Sequence, residues 1–486
     1  MLRNPKLTDH MITIRKFILL FILALVLSCQ YFVSCKTGSL SGRLIITQVP
    51  GNNQHPDIIS GESWRYPSRA HIAALDTDNP ESITVLTDGF YSACSPEISY
   101  DGKYMLFAGQ QNEGDLWQIW EMNLDNMKTN QVTSFKGHCI DPAYLPGGRL
   151  VFTRLTENDT VKTAHCLYTC NLDGSDVRQI TFHPNSNYAT TVLKDGRLLT
   201  ISRQLFPDGG DQMFMVLRPD GTKADMFYKG NEGTILISNP RETSNGKIYF
   251  IETNENSKFS GDIVSVDYNR PLHTWVNYTA GINGSFYAVL PEQSGKFMVS
   301  FRESESERYA LYEFDPVNRS LGNAVYHNPD YDITDIVKAV KYDRPRKLPS
   351  EVDMHVKTGL LLCQDIHFMG FQSILDNPGP DRASMIEVLG IDSTYGVVPV
   401  EEDGSFYLKV LADTPFRIQT LDKDGHVLYG PCSWLYLRPN ERRGCVGCHE
   451  NLELVPVNRI PVAVRSDPVI IPVHITEIKE KVVELE

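Results

Sequence analysis

A glycine followed by a basic residue and an apolar run recurs six times, and this repeat limits the fold more than any other feature of the chain. The copies are Gly42-Arg43-Leu44-Ile45-Ile46, Gly102-Lys103-Tyr104-Met105-Leu106, Gly148-Arg149-Leu150-Val151-Phe152, Gly196-Arg197-Leu198-Leu199, Gly246-Lys247-Ile248-Tyr249-Phe250 and Gly295-Lys296-Phe297-Met298-Val299. By subtraction, the glycines stand 60, 46, 48, 50 and 49 residues apart. Ser41, Asp101, Gly147, Asp195, Asn245 and Ser294 precede them. Such pairs are hairpin turns, because glycine reaches positive φ without steric cost. From the second copy on, a further apolar strand follows each turn: 116–120, 166–168, 213–216, 263–266 and 310–312. A period in the forties with several short strands per unit is the signature of a β-propeller blade. Six blades are predicted over 40–342, with the loop 50–68 accounting for the long first interval. Asp332 to Val340 is expected to complete the first blade and close the ring, which leaves few exposed strand edges.

The strand-turn cores Pro96-Glu97-Ile98-Ser99-Tyr100-Asp101-Gly102-Lys103 and Asp141-Pro142-Ala143-Tyr144-Leu145-Pro146-Gly147-Gly148-Arg149 resemble those of TolB-type, WD40-like propellers, a likeness of fold and not of activity. At Arg344-Pro345-Arg346-Lys347-Leu348-Pro349 the spacing breaks, so 343–350 reads as a linker. Short strands resume around Gly396-Val397-Val398-Pro399-Val400, Phe406-Tyr407-Leu408 and Phe416-Arg417-Ile418-Gln419, with turns at Asp403-Gly404 and Asp424-Gly425. The fold class is therefore all-β: a six-bladed propeller followed by a small antiparallel, sandwich-like domain over 351–486 with an extended tail.

The N-terminus carries a different signal. Lys6, Arg15 and Lys16 precede an apolar run from Phe17 to Leu27, the pattern of a signal peptide over 1–28 and too short for the roughly twenty residues of a membrane span. Val26-Leu27-Ser28-Cys29 resembles a lipobox, with Cys29 as the lipidated residue and 29–39 as a tether; Cys35 is a spare thiol. Export to the periplasm or to an outer-membrane-associated lipoprotein follows, and with it an oxidising compartment. The only membrane partner expected is through that anchor. Lys and Arg number 46 against 60 Asp and Glu, and the resulting charge of −14 gives no electrostatic footprint for nucleic acid.

Cys445-Val446-Gly447-Cys448-His449 is the sequence feature with the most chemistry. In Cys-x-x-Cys-His two thiols add across porphyrin vinyl groups and the adjacent histidine serves as axial iron ligand. Ten cysteines and 13 histidines in 486 residues make the chance occurrence of the pattern roughly 0.006. One covalent haem c is expected, on Cys445 and Cys448 with His449 axial. The alternatives are a redox disulfide, half a zinc site or a relic. His367 and His426 are candidates for a distal ligand, with Met369 and Met385 as softer ones; each is also readable as an ordinary structural residue. His138-Cys139, before Asp141-Pro142 where an innermost strand begins, is a candidate zinc pair against the alternative of a buried thiol beside a loop histidine. Cys166 and Cys170 are four apart on one strand and too distant to bond. Cys363 and Cys432 are a candidate disulfide. Walker, Gly-x-Ser-x-Gly and His-Glu-x-x-His patterns are absent from the sequence, so nucleotide-binding and hydrolase readings lack support.

A propeller followed by Gln419-Thr420-Leu421-Asp422-Lys423-Asp424-Gly425, Trp434-Leu435-Tyr436-Leu437-Arg438-Pro439-Asn440-Glu441 and Cys445-Val446-Gly447-Cys448-His449-Glu450 resembles the hydrazine synthase alpha-subunit family. The resemblance implies a propeller packed on a haem-bearing middle domain, in an assembly that joins nitric oxide and ammonium. It also implies a tyrosine four residues after the motif histidine as iron ligand, with the histidine turned to zinc. Glu453 occupies that position here, so ordinary ligation by His449 is expected. With one Cys-x-x-Cys-His in this sequence, neither a two-haem relay within the subunit nor hydrazine synthesis itself is expected. The leading expectation is a single-haem c-type cytochrome in electron transfer with a redox partner protein, as a possible member of a hetero-oligomer. A haem-dependent oxidoreductase acting on a small nitrogen compound is the second reading, and a propeller interaction module with a vestigial motif the third.

Overall fold

The computed structural model describes residues 40–51, 65–254, 261–368, 383–447 and 458–472. The leader, the tether with Cys29 and Cys35, Met369, Cys448, His449 and Glu453 lie outside the described residues. All six repeat glycines adopt positive φ, from +73° at Gly102 to +92° at Gly196, so the turns rest on backbone freedom that only glycine has at low cost. Each turn opens a strand: Leu44–Pro50, Tyr104–Gln110, Arg149–Asn158, Leu198–Gln204, Lys247–Asn254 and Phe297–Arg302. Around these six strands six sheets assemble, five of four strands and one of five. Apolar side chains from both faces of each sheet pack against the neighbouring blades, so that Leu106 and Ile119 share one core with Phe152, Phe214 and Phe250.

The innermost strand of the second blade is Ser92–Ile98, of the third Cys139–Leu145 and of the fourth Asn185–Val192. In the first blade this place is taken by Tyr331–Lys338, which pairs antiparallel with Leu44–Pro50 and so joins the end of the ring to its beginning. The fifth blade's inner edge is split into Thr234–Leu236 and Arg241–Glu242, both paired with Lys247–Asn254. Three consecutive inner strands carry a two-residue bulge, at Ser95-Pro96, Asp141-Pro142 and Ala189-Thr190. Its first residue is in each case at a φ of 50° to 55°. A bulge bends the strand and re-aims side chains, and here it turns Ser95 and Asp141 toward one another.

Antiparallel strands place the glycine turns on one face of the disc and residues 65–70 on the other. Residues 339–350 cross the glycine-turn face. Tyr342 N–H donates to Tyr100 O (3.1 Å), Arg346 N–H to Lys194 O (3.0 Å) and Arg218 to Pro349 O (2.5 Å). A Cβ at Gly196 would stand 2.1 Å from Arg346 O, and one at Gly102 2.9 Å from the backbone at Val340 and Lys341. Two repeat glycines are thus needed for close approach of this strap as well as for their turns.

The second domain is a sandwich of two four-stranded sheets. One is antiparallel throughout: Thr394–Pro399, Met385–Leu389, Arg417–Leu421 and Val427–Tyr429. The other departs from the antiparallel expectation. Thr358–Cys363 and Phe406–Leu411 pair antiparallel, but Arg442–Cys445 and Val469–Ile471 join them as parallel edges. Parallel neighbours are distant in sequence and leave no turn signal between them. Among the described residues no helix is long and apolar enough to cross a membrane.

The domain docks on the rim of the third and fourth blades. Tyr436 is buried within a propeller core, and its hydroxyl donates to Ile180 O and Gly221 O, both at 3.0 Å. Trp434 Nε1–H donates to Phe206 O (2.7 Å), Arg438 Nε–H to Asp220 O (2.9 Å), and the buried Glu441 carboxylate accepts Lys223 N–H (2.8 Å).

Candidate functional site

Cys445 ends the edge strand Arg442–Cys445, half-buried and in register with Cys363 on the adjoining strand. The chain after Cys363 folds back over the motif: Gln364 N–H donates to Cys445 O (3.0 Å) and Asp365 N–H to Val446 O (3.2 Å). Gly447 is pressed so closely that a Cβ would lie 1.9 Å from Phe368 O. His367 stands in this corner. Its Nδ1 is 2.9 Å from Asp365 Oδ1 and its Nε2 2.9 Å from Ala383 O. Both ring nitrogens therefore face oxygen acceptors, and His367 would have to release Ala383 to ligate a metal. Burial alone would raise the Asp365 carboxyl; the His367 ring, the His367 N–H and Arg459 outweigh it and hold the group below the usual carboxylate range. Gly404 completes the corner, since a Cβ there would meet Asp365 Oδ1 at 2.3 Å and His367 Nδ1 at 2.5 Å. These residues fit the entry to a covalent haem: a half-buried thiol at a sheet edge, a glycine turn without room for a side chain, and a histidine on an ionised carboxylate.

The other candidates are distributed differently. His426 lies on the turn of the opposite sheet, its side chain 77% exposed and its Nδ1 3.1 Å from Asp422 Oδ2, away from the strand that carries Cys445. Met385 is half-buried at the start of its strand. The Cys363–Cys432 disulfide is not formed: Cys432 is a free thiol whose sulfur accepts Ile418 N–H at 3.2 Å. His138 and Cys139 do not converge on one metal position. Neighbours at the start of a strand point to opposite faces, so Cys139 enters the inter-blade core and contacts Gly137 O, while the His138 ring packs on Tyr66 at 5.0 Å. Burial pushes the Cys139 thiol up to about 12 and depresses His138. Cys166 and Cys170 are separate buried thiols, each pushed up to about 12 by burial.

The sequence reading missed the propeller channel. Arg65, from the loop treated there only as a spacer, enters the channel and pairs with Asp141 at 3.3 Å, both groups almost wholly buried. Asp141 also accepts the Ser95 hydroxyl (3.0 Å) and Ala189 N–H (2.8 Å), tying the bulges of three blades together. Tyr66 follows and meets His165 Nε2 at 2.7 Å; burial holds His165 down to about 4. Beside Arg65 a cavity of about 290 Å³ is lined by the first, second, fifth and sixth blades. The strand period shows where inner strands fall but not which polar residues across the ring face one another.

Comparison with known proteins gives a consistent likeness. Residues 376–450 match the family model described as the hydrazine synthase alpha subunit middle domain. The chain is 23% identical to hydrazine synthase subunit alpha of Kuenenia stuttgartiensis over 82% of its own length and 65% of the relative's, so it spans slightly less than two thirds of that protein. The solved structure of Kuenenia stuttgartiensis hydrazine synthase aligns with a TM-score of 0.75 at 21% identity, covering 87% of this chain and 71% of that one. The Tol-Pal system protein TolB of Francisella tularensis subsp. mediasiatica (strain FSC147) is 21% identical over 46% of this chain and 57% of its own. The chain is hydrazine synthase alpha-like along both of its parts, and its propeller is TolB-like.

Proposed function

We propose that this hydrazine synthase alpha-like propeller protein is an exported single-haem c-type cytochrome that transfers electrons to or from a partner protein. The observation that carries the reading is the Cys445-Val446-Gly447-Cys448-His449 motif, lying inside the segment that matches the hydrazine synthase alpha middle domain. Cys445 and Cys448 would hold the haem as thioethers and His449 would be its axial ligand. When bound, a haem supplies an iron that cycles by one electron, with axial ligation and burial setting its potential. The chain's own part is to hold Cys445 at the sheet edge and to keep His367 on Asp365 within the same corner. Glu453 in place of a tyrosine favours this reading over synthesis of an N–N bond. The name of the Kuenenia relative marks it as one subunit of an assembly, and on that basis a hetero-oligomer is the proposed working state, anchored through Cys29.

The test is to express the full chain with a c-type haem maturation system and record the pyridine haemochrome spectrum of the denatured protein beside that of Cys448→Ala. A covalent c-type spectrum in the parent, shifted in the variant, is expected. A folded, exported parent without haem, under conditions that mature a control cytochrome, would overturn the reading and leave the propeller as a binding scaffold.

A further inference from the structure

The cavity in the propeller channel has a polarity that none of the foregoing explains. Three carboxylates stand in or beside it: Asp141, Asp332 and Asp335. Asp141 is paired with Arg65 at 3.3 Å and Asp332 with Arg308 at 3.5 Å. Asp335, on the ring-closing strand, accepts the neutral Ser95 N–H at 3.2 Å and forms no ion pair among the described residues. Burial raises the Asp335 carboxyl above its ordinary range and Arg65 attracts it from nearby, but the Arg65 guanidinium donates to Asp141 and to Ile237 O (3.5 Å) and lies over the Tyr188 ring. The second arginine on the wall, Arg241, is paired with Glu97 at 3.7 Å. These cations are thus engaged, and the half-buried Asp335 carboxylate has no ion-pair partner of its own among the described residues.

Around Asp335 the wall supplies what a cation needs besides a carboxylate. Tyr287 also lines the cavity, and its hydroxyl has no hydrogen-bond partner among the described residues. The Tyr287 ring packs on Tyr309 at 5.3 Å, and Tyr309 already attracts Arg302, whose guanidinium is 4.4 Å from the ring centroid. A ring face beside a carboxylate attracts cations through both the quadrupole and the charge. Ile237, Val289 and Ile336 give the rest of the wall an apolar character. An anion would meet Asp335 and Asp332 with no uncommitted cation among the described lining residues to balance them.

We propose that the channel cavity binds a small organic cation, with its ammonium nitrogen at Asp335 and the Tyr287 hydroxyl and its apolar body against Ile237, Val289 and Ile336. A cavity of about 290 Å³ sits at the lower end of the range for ligand pockets, which limits the ligand to a short alkylamine or a group of that size. The site lies in the propeller and does not depend on the haem reading.

The test is calorimetric titration of the purified full chain at pH 7 with n-butylammonium, n-butanol and n-butyrate. The ammonium should bind at least about tenfold more tightly than the other two, equivalent to about 1.4 kcal/mol. Asp335→Asn should lower ammonium binding about tenfold without changing n-butanol binding, and Tyr287→Phe should lower it several-fold. Equal binding of n-butanol, preference for n-butyrate, or no heat with n-butylammonium would each overturn the proposal. Where Asp335→Asn does not fold, as judged by circular dichroism, unchanged ammonium binding by a folded Tyr287→Phe would overturn it as well.

Discussion

At the scale of single residues, the six repeat glycines share a conformation but not a role. Gly246 and Gly295 have nothing within 4 Å of where a Cβ would be, whereas a Cβ at Gly196 meets Arg346 O at 2.1 Å. Gly246→Ala should cost about 1 kcal/mol, the ordinary price of a side chain at positive φ. Gly196→Ala should cost about 2 kcal/mol more, because backbone must move; urea unfolding of the pair measures the difference. Buried histidine offers a second residue-scale expectation. His183 is buried, neither ring nitrogen has a hydrogen-bond partner among the described residues, and burial depresses its pKa to about 4. An unfolded imidazole takes up a proton below about 6.5, the folded one only below about 4. The histidine therefore leaves stability intact above pH 6.5 and lowers it progressively as pH falls toward 4, by up to about 3 kcal/mol. His183→Phe loses no hydrogen bond and should flatten that acid-side decline, read as unfolding free energy at pH 7 and pH 4.5. His165, also depressed to about 4, retains its own share of the decline.

At the scale of elements, the strand Tyr331–Lys338 decides whether the ring is closed. It pairs with Leu44–Pro50 along its length and places Ile333 and Ile336 in a core shared by the first and sixth blades. Ile336→Ala should destabilise by about 2 to 4 kcal/mol, and hydrogen exchange should accelerate first in Leu44–Pro50, its partner. Equal acceleration in all blades would mean that the ring opens only globally. The repeat made these elements legible in the sequence, since strand, turn and period coincide in every copy. Bulges at Ser95, Asp141 and Ala189 were not legible, because nothing in a two-residue alternation marks an extra residue. The parallel edges Arg442–Cys445 and Val469–Ile471 were hidden for a different reason: their partners lie far away in sequence and no turn residue announces them.

At the scale of the whole molecule, propeller and second domain are joined by polar contacts around one buried ring. Tyr436 supplies the ring and donates to two propeller carbonyls. Tyr436→Phe keeps the ring and orphans both carbonyls, at a cost of about 1 to 3 kcal/mol. Scanning calorimetry should then resolve an earlier transition for the second domain ahead of the propeller; one unsplit transition shifted as a unit would show that the two parts unfold together. The sequence alone determined the number of blades, the turn glycines and the haem-type motif. Each is a local pattern, repeated or compact, whose chemistry is complete within a few residues. Only the tertiary structure decided that Arg65 reaches Asp141 across the ring, that Cys363 stands beside Cys445 and forms no disulfide with Cys432, that His138 and Cys139 part company, and that Asp335 faces a cavity. Those contacts join residues tens to hundreds apart, and their geometry follows from ring closure and sheet stacking, which no local pattern encodes.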